Sequence, residues 1–97
     1  SLHMQIGIPA ETRAGEARVA ATPETVKKLA AGGLHKVVVQ AGAGANASVP
    51  DADFQAAGAV IGSAADALGS DIVLKVRGPE PGEFGMLKRG GIVVGLL

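Results

Sequence analysis

The segment DIVLKV, residues 71–76, decides the fold class of this 97-residue chain. Its four aliphatic residues are typical of a strand buried on both faces, as the strands of parallel sheets are. Lys75 lies inside this apolar run, where an unpaired ammonium group would be costly. The segment therefore indicates a parallel sheet covered on both sides, and it supplies a first candidate functional residue.

The rest of the chain alternates between strand-like and helix-like segments. Further apolar, β-branched runs predict strands at residues 4–9, 36–42 and 90–97. Capped segments with helical spacing predict helices within residues 22–33, 50–58 and 63–69, and a weak helix at residues 83–90. Strands that alternate with helices predict right-handed crossovers between parallel strands.

The helix within residues 22–33 has both of its ends marked. Thr22 is a good N-cap because its hydroxyl can accept a hydrogen bond from a free backbone N–H of the first turn. Pro23 suits the first helical position, where its missing N–H costs nothing. Gly32 or Gly33 can supply the left-handed turn that ends the helix.

The fold class that follows is α/β, an open parallel sheet with helices on both faces, as in Rossmann-like and flavodoxin-like lobes. We interpret residues 4–97 as one N-terminal α/β domain. Because no helix follows the last predicted strand, we expect this lobe to be incomplete and part of a larger two-domain protein. Residues 1–3 precede Met4 and resemble a cloning scar, so His3 is excluded as a metal ligand.

Composition argues against several functional classes. Nine basic residues balance nine acidic ones and only two residues are aromatic, so we expect no nucleic-acid partner. There is no cysteine, which excludes disulfides and thiolate metal sites. No apolar run approaches the ~20 residues that span a bilayer.

Lys75 is the first candidate for ligand binding. In a strand that starts near Asp71, it lies at or near the carboxyl end, where open parallel sheets bind their ligands. Three interpretations remain open. The side chain reaches water from the sheet edge, it binds an anionic ligand, or it forms a buried ion pair.

Arg18 is the second candidate, in the loop between the first strand and the first helix. Its planar guanidinium suits a carboxylate or a phosphate, and a helix N-terminus follows. The alternative is a surface ion pair with Glu11 or Glu16, which is common for a loop arginine. Arg18 and Lys75 are expected to converge from neighbouring strand ends and form a small anion-binding pocket.

The loop QAGAGANAS, residues 40–48, matches the dinucleotide pattern G-x-G-x-x-G/A only weakly. No helix begins at the motif, and the acidic residue expected at the end of the next strand is missing. We therefore interpret the loop as structural turns. His35 stands alone in a turn, without the spaced partners of a metal site, and no nucleophile–base pair is evident.

The segment IGIPAETRAGEARVAATPETVKKL, residues 6–29, resembles the amino-terminal signature of the alanine dehydrogenase/pyridine nucleotide transhydrogenase family. The matching patterns are G-I-P-x-E, then E-x-R-V-A-x-T-P, then an apolar helix. The resemblance continues through residues 40–59 and 71–79, so it covers nearly all of residues 4–97.

This resemblance implies an N-terminal α/β lobe beside a separate, downstream Rossmann domain that binds NAD(H) in the parent protein. The nicotinamide would work in the cleft between the two lobes, so the cofactor would be bound mainly outside this chain. In alanine dehydrogenases of the family, the matching Arg18 and Lys75 would hold the carboxylate and the carbonyl oxygen of pyruvate. The 97 residues by themselves are expected to be catalytically inactive.

Within the family, RVAATPETVKKL and the Gly78 of LKVRGP are closer to the alpha subunits of proton-translocating NAD(P) transhydrogenases. That branch implies a homodimer, membrane and NADP(H)-binding partner subunits, and a cytoplasmic protein peripheral to the inner membrane. Arg18 and Lys75 would then serve only the cleft near the nicotinamide. The alternatives are an alanine dehydrogenase lobe and a non-enzymatic packing or oligomerisation lobe.

Overall fold

A computed structural model of the chain describes residues 3–97. Its elements alternate along the chain as the sequence predicts. The strands are β1 (Gln5–Ile8), β2 (Lys36–Gln40), β3 (Val60–Gly62), β4 (Ile72–Lys75) and β5 (Ile92–Gly95). The α-helices are α1 (Pro23–Ala30), α2 (Asp51–Ala56) and α3 (Ala64–Leu68), and 3₁₀ helices span Ala31–Gly33, Ala45–Ala47 and Pro81–Met86.

The five strands form one parallel sheet in the order β3-β2-β1-β4-β5. Ile6 of β1 lies opposite Val37 of β2 on one side and Ile72 of β4 on the other. The chain moves outward from β1 to β3, and then returns to start β4 beside β1. This reversal between β1 and β4 is the topological switch point, where open α/β sheets bind ligands.

Helices cover the sheet on both faces, which confirms the predicted α/β class. On one face, Ile8 packs in a buried cluster with Val26 of α1 and Phe54 of α2. On the opposite face, Gly7 lies against α3, so closely that a Cβ atom there would be 1.8 Å from the carbonyl oxygen of Ala67. The absence of a side chain at Gly7 thus lets α3 sit directly on the centre of the sheet.

The ends predicted for α1 are confirmed. The backbone N–H of Thr25 donates to the hydroxyl of Thr22 at 3.2 Å, and Pro23 occupies the first helical position. The chain turns away after the helix through Gly32 and Gly33, whose φ angles are +65° and +72°. These left-handed conformations explain the paired glycines.

Two predicted details are corrected by the structure. The sequence predicts four strands, but β3 adds a fifth, because Val60–Gly62 pairs with β2 in the short segment between two predicted helices to which the sequence pattern assigns no element. This edge strand has only three residues, too few to show periodicity. The weak helix predicted at residues 83–90 is instead the 3₁₀ helix Pro81–Met86, which packs beside α3.

The β5 edge carries exposed apolar side chains. Ile92 is 58 % exposed, and Val94, Leu96 and Leu97 are also exposed. Register places Ile92 and Val94 beside Ile72 and Leu74. They lie on the face of the sheet that α1 and α2 cover at β1 and β2. Among residues 3–97, no helix is long and apolar enough to cross a membrane.

We predict that Gly7→Ala destabilises the chain strongly, because the new methyl group would collide with backbone atoms of α3 rather than with a flexible side chain. The free energy of unfolding should fall by about 3 kcal/mol in a urea titration. Gly85→Ala is the matched control, since nothing lies within 4 Å of a Cβ atom there. Equal stability of the two variants would contradict the close approach of α3.

A candidate anion site at the carboxyl edge of β1 and β4

Charged side chains gather where β1 and β4 end. The loop after β1 carries Glu11, Glu16 and Arg18, and β4 ends at Lys75 with Arg77 two residues later. Since the two strands are parallel neighbours at the switch point, these groups share one edge of the sheet. The predicted position of Lys75 at the carboxyl end of its strand is confirmed.

Lys75 is a buried cation, with 1 % of its side chain exposed. Its Nζ donates to Glu83 Oε2 at 3.2 Å and lies 3.6 Å from Glu11 Oε1. Of the three interpretations of this lysine, the structure shows the buried ion pair. The interpretation in which Lys75 reaches water is wrong, because the opposing carboxylates hold the ammonium group inside the protein.

Glu11 joins the loop after β1 to the end of β4. Its two carboxylate oxygens accept the backbone N–H groups of Val76 at 3.0 Å and Arg77 at 3.1 Å. The same carboxylate faces the ammonium group of Lys75. Three positive or partly positive partners thus hold one buried carboxylate, which compensates for its loss of hydration.

Glu83 approaches Lys75 from the 3₁₀ helix Pro81–Met86. Its second oxygen accepts the backbone N–H of Glu80 at 2.8 Å, so both oxygens of the carboxylate are bonded. The carboxylate of Glu80 accepts a hydrogen bond from the Thr12 hydroxyl at 2.6 Å. The first turn of this 3₁₀ helix is therefore tied to β4 and to the loop after β1.

The side chain of Arg18 is more than half exposed and lies beside the largely buried carboxylate of Glu16. It donates from Nε to Glu16 Oε2 at 2.9 Å and from Nη2 to Glu16 Oε1 at 2.8 Å. Glu16 Oε1 also accepts from Nε of Arg77 at 3.0 Å. The ion pair with Glu16 that the sequence offers as an alternative is therefore present, and a second guanidinium shares it.

These contacts change the acidity of the groups involved. The pKa of Glu16 lies far below its ordinary value of 4.5, chiefly because the Arg18 side chain donates to it, and then because the Arg18 backbone and the Arg77 side chain donate as well. The pKa of Arg18 is raised, first by its hydrogen bond to Glu16 and further by attraction to Glu16 and Glu11. The carboxylate of Glu16 stays ionised well into the acid range.

Both predicted cations thus lie at one edge of the sheet, each held by carboxylates. Lys75 is enclosed by Glu11 and Glu83, whereas the side chain of Arg18 is 57 % exposed and faces solvent. A soluble anion would therefore meet the guanidinium side of the cluster. Whether Arg18 and Lys75 bind a ligand stays a prediction.

Sequence patterns assign no role to Glu83 or Arg77. Glu83 lies in a proline- and glycine-rich segment, where nothing in its spacing indicates a partner for Lys75. Arg77 lies two residues after Lys75, and strand alternation by itself indicates only that the two side chains share one side. The sequence does contain one indication of such a partner. Lys75 lies in an apolar strand, and a lysine that is buried there needs a nearby carboxylate to offset the cost of its desolvation.

A cleft of about 360 Å³ opens beside this cluster, between α3 and the 3₁₀ helix Pro81–Met86. Its polar lining includes Glu80 and Glu83, together with Thr12 and Gln40. Two carboxylates in the wall do not suit an anionic ligand. This cleft is therefore a poor anion site, in contrast to the arginine side of the cluster.

The glycine loop after β2 does not fit the pyrophosphate of a dinucleotide. Gly42 has φ of +79°, and its N–H donates to the carboxylate of Asp51 at 2.9 Å. Helix α2 begins only at Asp51, and the glycines are followed directly by a single 3₁₀ turn, Ala45–Ala47, rather than by an α-helix. The predicted structural turns are confirmed, and these residues of the chain do not form a pyrophosphate cradle.

His35 takes part in backbone structure, since its Nδ1 accepts from the N–H of Met4 at 3.4 Å. Within residues 3–97, no three His, Cys, Asp or Glu side chains are grouped so that they could hold a metal ion.

The fold and the charged edge agree with one family. The family model described as "Alanine dehydrogenase/PNT, N-terminal domain" matches residues 7–97. The chain therefore belongs to this family, as its sequence patterns indicated.

Relatives of two kinds are similar to the chain. The alanine dehydrogenase of Mycobacterium tuberculosis is 46 % identical over 92 residues, which are 93 % of this chain and 24 % of the relative. The NAD(P) transhydrogenase subunit alpha of Haemophilus influenzae is 42 % identical over 94 residues, which are 97 % of this chain and 18 % of the relative. Both names denote oxidoreductases, and the chain spans less than a quarter of the length of either relative.

Solved structures lead to the same pair of enzymes. A transhydrogenase from Sinorhizobium meliloti superposes with a TM-score of 0.88 at 41 % identity, over 96 % of this chain and 28 % of that one. An L-alanine dehydrogenase superposes with a TM-score of 0.88 at 35 % identity, over 93 % of this chain and 25 % of that one. The domain is common to both enzymes, and the comparisons do not choose between them.

We predict that the stability contributed by Glu16 depends on pH. Because its pKa in the folded chain is below the ordinary value of 4.5, this stabilisation is complete above that pH and is lost as the pH falls toward the folded pKa. In urea titrations, Glu16→Gln should therefore be less stable than the unaltered chain at pH 7, and the difference should narrow at pH 3.

The control for this experiment is Glu24→Gln, which removes an exposed carboxylate that pairs with Lys28. It should change stability little at either pH. If the free energies of unfolding of Glu16→Gln and the unaltered chain differed by the same amount at pH 7 and pH 3, the lowered pKa of Glu16 would be contradicted.

We also predict that the Lys75 ion pair is needed for stability. Lys75→Met leaves the carboxylates of Glu11 and Glu83 buried without their cation, and should lower the free energy of unfolding by about 3–5 kcal/mol. Combining Lys75→Met with Glu83→Gln should recover part of this loss, because one of the unpaired charges is removed. Lys28→Met, in an exposed pair, is the control. A loss at Lys75 no larger than at Lys28 would refute the buried pair.

Proposed function

We propose that this chain is the N-terminal portion of the NAD(H)-binding alpha subunit of a proton-translocating NAD(P) transhydrogenase. Its parent enzyme would pass hydride between NADH and NADP⁺, coupled to proton translocation. The chain would contribute one wall of the nicotinamide cleft, with its charged edge at β1 and β4 facing that cleft. The observation that supports this most is the arrangement of Arg18 and Lys75 at the topological switch point.

The state of Lys75 favours the transhydrogenase over the alanine dehydrogenase. Its ammonium group faces two carboxylates and is almost fully buried, so it is not accessible to a keto acid from solvent. A group in this state suits a structural role in shaping the wall of the cleft. The RVAATPETVKKL segment, which resembles transhydrogenase alpha subunits, supports the same choice.

The alternative is the pyruvate-binding and alanine-binding lobe of an alanine dehydrogenase. The specific observation in its favour is Arg18, whose exposed guanidinium is suited to a substrate carboxylate. In that enzyme Lys75 would have to leave Glu83 or share its ammonium group with the carbonyl oxygen of pyruvate. The non-enzymatic packing lobe has no specific observation in its favour.

The cofactor and partners follow from the same proposal. NAD(H) would bind mainly to a downstream Rossmann domain, since the glycine loop of this chain does not form a pyrophosphate site. The parent protein would be a homodimer that works with membrane and NADP(H)-binding subunits. It would lie in the cytoplasm, peripheral to the inner membrane.

The test uses the polypeptide with its native downstream residues. With the NADP(H)-binding partner present, it should transfer hydride from NADH to NADP⁺. Without the partner, it should not oxidise NADH when pyruvate and ammonium are supplied. NADH oxidation that requires pyruvate and ammonium, and that Arg18→Ala abolishes but Arg89→Ala does not, would establish the alternative. Absence of both activities and of NADH binding would leave only a packing lobe.

A further inference from the structure

We propose that the cleft of about 360 Å³ between α3 and the 3₁₀ helix Pro81–Met86 binds a small organic cation, namely a primary ammonium group carried on a short alkyl chain. This α3 cleft is separate from the arginine side of the charged edge, since neither Arg18 nor Arg77 lines it. The inference goes beyond the function proposed above and does not depend on it.

The α3 cleft has the size and the mixed lining of a small-molecule site. Ligand pockets in proteins commonly measure roughly 300–1,000 Å³, and this cleft falls within that range. Its apolar lining comprises Ala64 and Leu68 of α3 together with Met86. The polar side chains of the lining are those of Thr12, Gln40, Glu80 and Glu83. A ligand that suits both kinds of lining has a polar or charged end and an apolar body.

Carboxylates outnumber cations around the α3 cleft. Among residues 3–97, the ammonium group of Lys75 faces both Glu11 and Glu83, and Glu80 forms no ion pair. One ammonium group is therefore shared among three nearby carboxylates, which leaves the wall of the cleft negatively charged. A concave surface with an excess of one charge attracts ligands of the opposite charge.

Glu80 is the group that we expect to hold the ammonium end. Its Oε1 accepts a hydrogen bond from the Thr12 hydroxyl at 2.6 Å, a bond that a neutral amide oxygen could accept equally well. The negative charge of Glu80 is therefore not needed for this contact, and an ammonium group in the cleft would pair with it.

Further acceptors are available for the same ammonium group, which has three N–H donors. The hydroxyl oxygen of Thr12 lines the cleft beside Glu80. The side-chain oxygen of Gln40 accepts one bond from the backbone N–H of Ala10 at 2.8 Å, and a carbonyl oxygen can accept a second. The polar lining thus offers acceptors for an ammonium group.

A metal ion fits the α3 cleft less well than an alkylammonium. Both oxygens of Glu83 are already bonded, Oε2 to Lys75 and Oε1 to the backbone N–H of Glu80. Within residues 3–97, no three His, Cys, Asp or Glu side chains are grouped to hold a metal. Mg²⁺ and Ca²⁺ require six or more oxygen ligands, and the apolar lining supplies none. An alkylammonium uses the apolar lining as well as the carboxylate.

The experiment is an NMR titration of the 97-residue chain with n-butylammonium at constant ionic strength. The signals to follow are the Met86 methyl group, the Gln40 side-chain amide and the Thr12 backbone amide, which report on the lining of the cleft. We expect all three to shift in a saturable way. The neutral analogue 1-butanol should bind about tenfold more weakly, because it lacks the charge that pairs with Glu80.

The length of the alkyl chain tests the apolar part of the lining. From methylammonium to n-butylammonium, affinity should rise by about twofold for each added methylene, because each one removes further apolar surface from water. Met86→Ala shortens the apolar lining and should reduce this gain.

A variant of Glu80 tests the charge. Glu80→Gln keeps an oxygen that can accept from Thr12 but removes the negative charge, and should weaken n-butylammonium binding by about tenfold. Glu24→Gln removes the same charge from an exposed position on α1 and should leave the affinity unchanged. Unchanged amide signals away from the cleft would show that each variant remains folded.

Four results would overturn the proposal. They are the absence of shifts in the lining, equal affinity for 1-butanol, equal affinities of Glu80→Gln and Glu24→Gln, and displacement of n-butylammonium by an equal concentration of Mg²⁺. None of these results bears on the proposed function, whose failure would appear separately as the absence of hydride transfer by the longer polypeptide.

Discussion

The buried ion pair between Lys75 and its two carboxylates is the interaction on which the functional edge of this domain depends. Lys75 ends β4, Glu11 comes from the loop after β1, and Glu83 comes from the 3₁₀ helix that follows β4. Three segments of the chain therefore meet at one ammonium group. Each of the three charges would be unfavourable alone in this interior, so the segments hold their positions together or not at all.

The loop after β1 organises the edge with two carboxylates that have different partners. Glu11 is directed inward, to Lys75 and the backbone after β4, whereas Glu16 is directed outward, to Arg18 and Arg77. The inner carboxylate fixes the backbone from which Arg77 extends, and the outer one aligns the guanidinium groups. One glutamate of this loop therefore supports the buried structure and the other holds the surface charges. As a result, Arg18 and Arg77 stay exposed at the switch point, while the buried Lys75 keeps its carboxylate partners.

Sequence patterns predicted most of the fold because local rules were enough for it. The caps of α1, the apolar runs of β1, β2 and β4, and their parallel arrangement all followed from composition and spacing. The short edge strand β3 did not, since three residues carry too little pattern and only pairing with β2 makes Val60–Gly62 a strand. The site was predicted in part. The positions of Arg18 and Lys75 followed from strand ends, but Glu83 and Arg77 join them through tertiary contacts that no local pattern encodes.

The central position of β1 has a consequence for how the domain assembles. β1 pairs with β2 within the first forty residues, but its other edge pairs with β4, which comes much later in the chain. The backbone N–H of Gln5 likewise donates to the carboxylate of Asp71, 66 positions later. As the ribosome makes the chain, the first strand therefore stays half-paired until most of the domain has emerged. An early intermediate would contain β1, β2 and α1, with one open β-edge and with Glu11 still in water. Arrival of β4 would close that edge and bury the glutamate against its lysine in a single late step.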